Sequence, residues 1–347
     1  MTLLYFILIL GITVFIHELG HYIFAKRAGI YVYEFSLGMG PQLYSFRRKN
    51  DETKYAIRLF PIGGYVQMAG EEVEPDENIP LDKRLQSKTW MERFLTIIAG
   101  CLFNFILAVV LLFTIGLING TPELKPIIGK LTDNYPAIKA GIDSGDLITH
   151  INGEKVSTVD DVLLKLELTP KGEPLDIKVN KENGSVKEYV VTPLKTVVDG
   201  EDVYRYGFAF SDKVNRGIIE SLNYAVVKFV SIFKSMILVI GGLITGDIGF
   251  NNLAGPVGIY NIVGEEAKAG IVNILSLIAF LSINVGFINL LPFPAFDGGR
   301  VVFLIIEKIK GSPINPKVEN AIHLVGFALL MLLMILITYQ DISRLVK

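Results

Sequence analysis

The sequence predicts a polytopic α-helical membrane protein of about four transmembrane helices, with one compact α/β module outside the membrane and a β-hairpin on the cytoplasmic side. Three observations carry that prediction. Just over half of the 347 residues are hydrophobic and the mean hydropathy is +0.46, too apolar for an ordinary soluble chain. Four apolar stretches, roughly residues 3–25, 94–118, 274–291 and 322–338, are long enough to cross a bilayer, which takes ~20 residues. Basic residues gather between the first two stretches and again between the last two, which makes both of those loops cytoplasmic.

The first segment, 1–28, is almost free of polar side chains from Leu3 to Ile16. Then His17-Glu18-Leu19-Gly20-His21 interrupts it, and Tyr22-Ile23-Phe24-Ala25 resumes the apolar run. It has no basic residues ahead of the apolar run and no small-residue cleavage site, so it reads as a retained helix rather than a signal peptide. Lys26 and Arg27 at its end put that end in the cytoplasm and the N-terminus outside. Residues 29–93 form a cytoplasmic loop. Within it, alternation such as Tyr55-Ala56-Ile57-Arg58-Leu59, punctuated by Gly38, Gly40, Pro41, Pro61, Gly63, Gly64 and Gly70, predicts the hairpin. Glu71–Glu77 is an acidic run that reads as solvated loop.

Residues 94–119 are the second span. They contain the one cysteine, Cys101, which excludes an intramolecular disulfide and reads as a small core residue. Residues 120–198 are the external module, with strands at 127–131, 146–152, 175–180 and 186–192 and a helix at 159–168. Residues 199–270 read as amphipathic helices on the membrane surface. Arg216, Glu220, Asn223, Ser231 and Lys234 fall near one face of 216–245, although a span over about 225–245 is conceivable. The third span, 271–299, ends in a helix break, a cytoplasmic loop occupies 300–318, and 319–347 is the fourth span with an external C-terminus. A net charge of −2 and no basic tail leave nothing to suggest a nucleic-acid partner.

HExxH on a helix sets two histidines one turn apart on one face, where both can ligate a single zinc, with the glutamate beside them as general base. Ionisable groups inside a membrane segment are costly and by default functional. A catalytic zinc needs a third protein ligand and an open position for water. His150 lies in a strand of the external module and reads as structural, while His323 opens the last span. The better third ligand is Asp297, in Asn289-Leu290-Leu291-Pro292-Phe293-Pro294-Ala295-Phe296-Asp297-Gly298-Gly299. Two prolines break the helix there, and broken backbone at membrane depth is tolerated only inside protein or along a cavity.

Depth then constrains topology. His17 and His21 lie about 21–27 Å below the outer surface at 1.5 Å per residue. A span that starts outside near Ile274 brings Asp297 to the same depth, and an additional crossing by 225–245 would strand it at the outer face.

HExxH in a first helix, a central module with the run Ala140-Gly141-Ile142-Asp143-Ser144-Gly145-Asp146 that resembles a PDZ domain, and N-x-x-P-x-P-x-x-D-G-G in a late helix together resemble the site-2 protease family of intramembrane zinc metalloproteases, in its bacterial regulator-of-sigma-E branch. Gly100-Cys101-Leu102-Phe103-Asn104 matches the family's G-x-x-x-N element, and Asn252-Leu253-Ala254-Gly255-Pro256-Val257-Gly258 also looks like this branch. The resemblance implies that Asn289 contacts substrate, that Asn104 supports the site, and that the hairpin around Gly63 and Gly64 guides substrate. It implies single-span membrane substrates such as anti-sigma factors and remnant signal peptides, in a bacterial cytoplasmic membrane, with the site near the cytoplasmic face. One departure is that several relatives carry two PDZ modules where one is found here.

The expected chemistry is zinc held by His17, His21 and Asp297, with Glu18 taking a proton from water and passing it to the leaving amine. Two rivals stand beside it. An ion or proton relay through His17, Glu18 and Asp297 would fit the buried charges, although no internal repeat supports a transporter. An inactive scaffold displaying the module would have no reason to bury an intact HExxH.

Overall fold

The computed structural model describes residues 1–71, 78–198, 201–246, 248–249 and 253–346. Most of the acidic run expected at 71–77, and Asn252 of the segment noted above, lie outside the described residues. The chain divides into two compact units, residues 1–111 with 249–347, and residues 112–248.

The first unit contains α1 (Thr2–Arg27), β1 (Val32–Arg47), β2 (Lys54–Met68) and most of α2 (Trp90–Asn119). The α1 and α2 helices match the first two expected apolar stretches, with ends displaced by one to four residues. The hairpin is more elaborate than expected. Residues 34–37 of β1 pair with 54–57 of β2 on one side and with 64–67 on the other, while 42–47 pair back onto 54–58. The bends lie at Gly38, Gly40 and Gly63, whose φ angles of +87°, +83° and +86° suit a residue without Cβ. Four ribbons result, and residues 64–68, paired to β1, form the outermost of them. Ala25, Ile30, Val32, Phe35, Val66 and Met68 pack this sheet against the end of α1.

The second unit contains β3 (Thr121–Pro122), β4 (Ile128–Leu131), α3 (Pro136–Ala140), β5 (Leu147–Ile151), β6 (Glu154–Lys155), α4 (Val159–Leu168), β7 (Leu175–Asn180), β8 (Val186–Val191), β9 (Leu194–Val198), β10 (Glu201–Arg205), β11 (Phe208–Phe210), β12 (Val214–Asn215) and α5 (Ile218–Thr245). The four strands and the helix expected in the module are all present, with ends shifted by one residue at most. Strands β6-β5-β7-β8 form one antiparallel sheet, and Ile128, Ile148, Ile151, Val162, Leu175, Ile177 and Val179 fill the core. Thr158 caps α4 in a full capping box with Asp161, and Gly141 ends α3 in the left-handed conformation.

One boundary needs correction. Residues 199–270 are not all helical: 201–215 contribute β10, β11 and β12. The reason is packing. β11 pairs with β4 from far along the chain, and Phe208 and Phe210 lie against the module's core.

The remaining elements, α6 (Pro256–Ala269), α7 (Ile271–Leu290), α8 (Asp297–Lys310) and α9 (Pro316–Val346), complete the first unit. The expected loop at 300–318 is also corrected, since α8 occupies residues 297–310. Phe296 is its N-cap in extended backbone, and Asp297 in the first turn with Lys308 and Lys310 in the last are favourable to the helix dipole. Phe6 and Ile9 of α1, Val263 of α6, and Ile274, Leu277, Ile278 and Leu281 of α7 form one apolar cluster. Asp341 of α9 is buried and accepts the Gly258 N–H at the start of α6 at 2.8 Å. Among the described residues, α1, α2, α5, α7 and α9 are long and apolar enough to cross a membrane, so α5 joins the four expected spans by length and composition.

Candidate metal centre

The i, i+4 spacing on α1 brings the two imidazoles together, with ring centroids 4.8 Å apart. The helix break after α7 then delivers the carboxylate. Pro292 and Pro294 prevent α7 from continuing, and the chain turns back through two short carbonyl-bonded turns, Phe293 N–H to Leu291 O and Phe296 N–H to Phe293 O. Gly298 permits the reversal, because a Cβ there would lie 2.2 Å from the Leu291 carbonyl oxygen. As a result Asp297 Oδ2 sits 3.2 Å from His17 Nε2 and 3.3 Å from His21 Nε2. All three ligand atoms lie within 4.8 Å of one another, and both histidines are buried. Three donors, two nitrogens and one oxygen, could hold a metal ion of the kind that tetrahedral N/O sites take.

Two observations test that fit. His21 Nδ1 lies 2.8 Å from the Thr96 carbonyl oxygen. A carbonyl only accepts, so Nδ1 carries the proton and Nε2 presents a bare lone pair to the cluster. His17 Nδ1 faces the Asn104 amide at 3.4 Å, while Asn104 Oδ1 is buried without a partner among the described residues. The two amide atoms are close to isosteric. Turning the amide over gives the orphaned oxygen the Nδ1 proton and frees His17 Nε2 in the same way. The donor set and its supporting bonds therefore fit a divalent metal.

Close helix approach makes the site compact. A Cβ on Gly20 would fall 2.3 Å from the Ala99 oxygen, and one on Gly100 would fall 2.3 Å from His21 Nε2. Only glycines let α1 and α2 meet there, the small-residue logic of helix packing in lipid. Glu18 turns to the sheet instead. A Cβ on Gly64 would lie 3.1 Å from Glu18 Cγ, so the outer edge at 64–68 runs directly beside the glutamate. Gly63 makes the bend before it and lies against Met39. The sheet is braced by Glu34, which accepts from Arg58 Nη2 at 2.5 Å and Tyr65 Oη at 2.7 Å and pairs with Lys54 at 3.0 Å. Burial alone would raise the Glu34 carboxyl, but the hydrogen bonds from Tyr65, Arg58 and Lys54 outweigh it and hold the group below the usual range.

Of the residues singled out in the sequence, His17, His21 and Asp297 converge, Asn104 touches His17, and Gly64 touches Glu18. Asn289 bonds its own helix instead, donating Nδ2 to the Val285 carbonyl at 3.0 Å. Two residues were undervalued. Cys101, read as plain core, places Sγ 3.7 Å from Asp297 Oδ2. His323 accepts the Ala295 N–H at 3.0 Å. Neither contact leaves a periodic trace, although Cys101 does follow directly on Gly100 in the G-x-x-x-N element.

The sequence model of peptidase family M50 matches residues 5–333. The zinc metalloprotease RasP of Bacillus licheniformis is 37% identical over 421 aligned positions, covering 99% of both chains. The regulator of sigma-W protease RasP of Bacillus subtilis is 35% identical over 422 positions, again covering 99% of both. The zinc metalloprotease RasP of Geobacillus kaustophilus is 34% identical over 414 positions, covering 98% of this chain and 97% of that one. Each alignment is longer than the 347 residues here, so these relatives carry residues that this chain lacks.

Proposed function

The chain belongs to peptidase family M50, and from that premise we propose that it is a zinc endopeptidase that cuts transmembrane segments of single-span proteins inside a bacterial cytoplasmic membrane. The observation that carries this reading is the convergence of His17, His21 and Asp297 at the end of an apolar helix. Zinc, when bound there, supplies a Lewis acid that polarises the scissile carbonyl and makes water nucleophilic near neutral pH. Glu18 accepts the proton from the attacking water and returns it to the leaving amine. His21, held by Thr96, and His17, held by Asn104, keep their Nε2 atoms aimed at the metal.

A substrate helix hides its carbonyls in its own i→i−4 bonds and must unwind before cleavage. The outer sheet edge at 64–66 offers a place for the unwound strand to add to the sheet, and its position beside Glu18 supports a guiding role for Gly63 and Gly64. Anti-sigma factors and remnant signal peptides are the proposed substrates. One relative is named for sigma-W regulation, which agrees with the first of these. Loading purified protein with zinc and presenting a single-span substrate in liposomes tests the site. Asp297→Ala should lose both the metal and cleavage, and an Asp297→Ala protein that still holds one zinc as tightly as wild type would refute the ligand set.

We read four crossings, with both termini extracytoplasmic and the site near the cytoplasmic face. The contacts of α5 favour its lying at the surface. Lys228 pairs with Asp160 at 2.7 Å and Lys234 with Asp161 at 3.5 Å, both on the first turn of α4 in the external module. Beyond Lys234 only residues 235–245 remain, about 16 Å of helix against a hydrocarbon core of ~30 Å. Cysteine labelling at position 270 should report the external side, and protection there against an external reagent with labelling from the cytoplasm would overturn the topology.

The module resembles a PDZ domain and is proposed to exclude substrates whose bulky ectodomains are uncut. Deleting residues 126–195 should then allow cleavage of an intact substrate. Continued rejection by a deletion protein that still cuts a trimmed substrate would remove that role.

A further inference from the structure

The turn that delivers Asp297 is not one its residues adopt freely. Ala295 has φ +83°, and the other described non-glycine residues with positive φ are Asn50, Asn134 and Asn152. Asparagine tolerates that region, whereas alanine's Cβ is crowded against its own backbone. Such a residue persists only where its surroundings over-determine it.

The surroundings are supplied by α9. The Ala295 N–H donates to His323 Nδ1 at 3.0 Å. Three residues along the same helix, Gly326 lies so close that a Cβ would fall 2.4 Å from Pro294 Cβ and 2.6 Å from the Pro294 oxygen. On the opposite side a Cβ on Gly299 would fall 2.5 Å from the Phe293 oxygen. The turn is thus held between the start of α8, where the Gly299 N–H donates to the Phe296 carbonyl at 3.1 Å, and the face of α9, from which His323 supplies a side-chain hydrogen bond.

The bond has a chemical consequence. An N–H must donate, so Nδ1 of His323 is the bare nitrogen and Nε2 carries the proton. That Nε2 is buried with no hydrogen-bond partner among the described residues, and the nearest carboxylate, Glu319 Oε1, stands 4.0 Å away.

We propose that His323 is a positioning residue: it locks Ala295 in the left-handed conformation and so fixes the Asp297 carboxylate, two residues on, against His17 and His21. This rests on the reading of Asp297 as a zinc ligand. A ligand is only as well placed as the groups that orient it, and removal of such supporting groups costs about 10- to 100-fold in metal affinity.

The test uses the full chain in detergent, stripped of metal and titrated with zinc alone against a competing chelator. His323→Leu should bind zinc about 10- to 100-fold more weakly, and the Ala295 amide of the metal-free protein should lose protection from hydrogen exchange. His323→Asn, whose Oδ1 can take the place of Nδ1 as acceptor, should recover most of both. In an Ala295→Gly background, where the backbone needs no lock, the effect of His323→Leu should shrink. The proposal is overturned if folded His323→Leu binds zinc like wild type, if folded His323→Asn is as weak as His323→Leu, or if Ala295→Gly leaves the His323→Leu loss undiminished. A His323→Leu protein that fails to fold leaves the Asn variant to decide. Asp297→Ala runs alongside. If it retains zinc, the ligand assignment itself falls, whereas loss of zinc in Asp297→Ala with wild-type affinity in His323→Leu removes only the role of His323.

Discussion

Glu18→Gln should keep its zinc and lose peptide hydrolysis by about 100- to 10,000-fold, the range for removing a general acid–base group. The two arms separate because Glu18 is not among the converging donors: those are His17, His21 and Asp297. Glu18 follows His17 directly, so the helix turns its side chain away from the histidine face and toward the sheet, where Gly64 meets its Cγ. It therefore stands between the metal site and the strand edge that would carry the scissile bond. Glutamine has almost the same shape and keeps that packing, but it cannot take a proton from water. The measurement is zinc stoichiometry beside single-turnover cleavage of a model single-span substrate. A Gln variant with full zinc and near wild-type cleavage would show that the proton passes elsewhere. A variant that loses zinc instead would place Glu18 in the ligand set.

The sequence made some parts of this site readable and left others silent, for physical reasons. The histidine pair was legible because helical geometry alone brings i and i+4 together. Asp297 was legible because a carboxylate after two prolines in an apolar helix has few other uses. The module's strands were legible from alternation and from glycines at its turns. Contacts made across helices were not. Nothing periodic announces that Gly100 lies against the imidazoles, that the Thr96 carbonyl fixes the His21 tautomer, or that Cys101 reaches Asp297. The helix α8 was missed because Gly298 and Gly299 at its start depress helix propensity, although their use is to let the chain reverse against α7. β11 was missed because its partner β4 is about 80 residues away in sequence, and pairing at that range leaves no local signature.

Gly100 gives the sharpest test of the helix approach. Gly100→Ala adds a single methyl group whose carbon would lie 2.3 Å from His21 Nε2 and 2.7 and 2.8 Å from Cε1 and Nε2 of His17. No real Cβ contact is that short, so the rings or the helices must move. The rings cannot swing freely, since His21 is held at Nδ1 by Thr96 and His17 is flanked by Asn104. Either movement takes Nε2 atoms off a common metal, and zinc affinity should fall at least as far as it does for loss of a supporting group, 10- to 100-fold or more. Stability need not follow, because alanine is favoured over glycine inside a helix by about 1 kcal/mol, which offsets part of the strain. Gly11→Ala on α1 is the matched control: a Cβ there meets nothing within 4 Å, so it should gain helix propensity and leave zinc unchanged. If Gly100→Ala binds zinc as tightly as Gly11→Ala, the two helices do not approach closely enough at Gly100 for the metal site to depend on it.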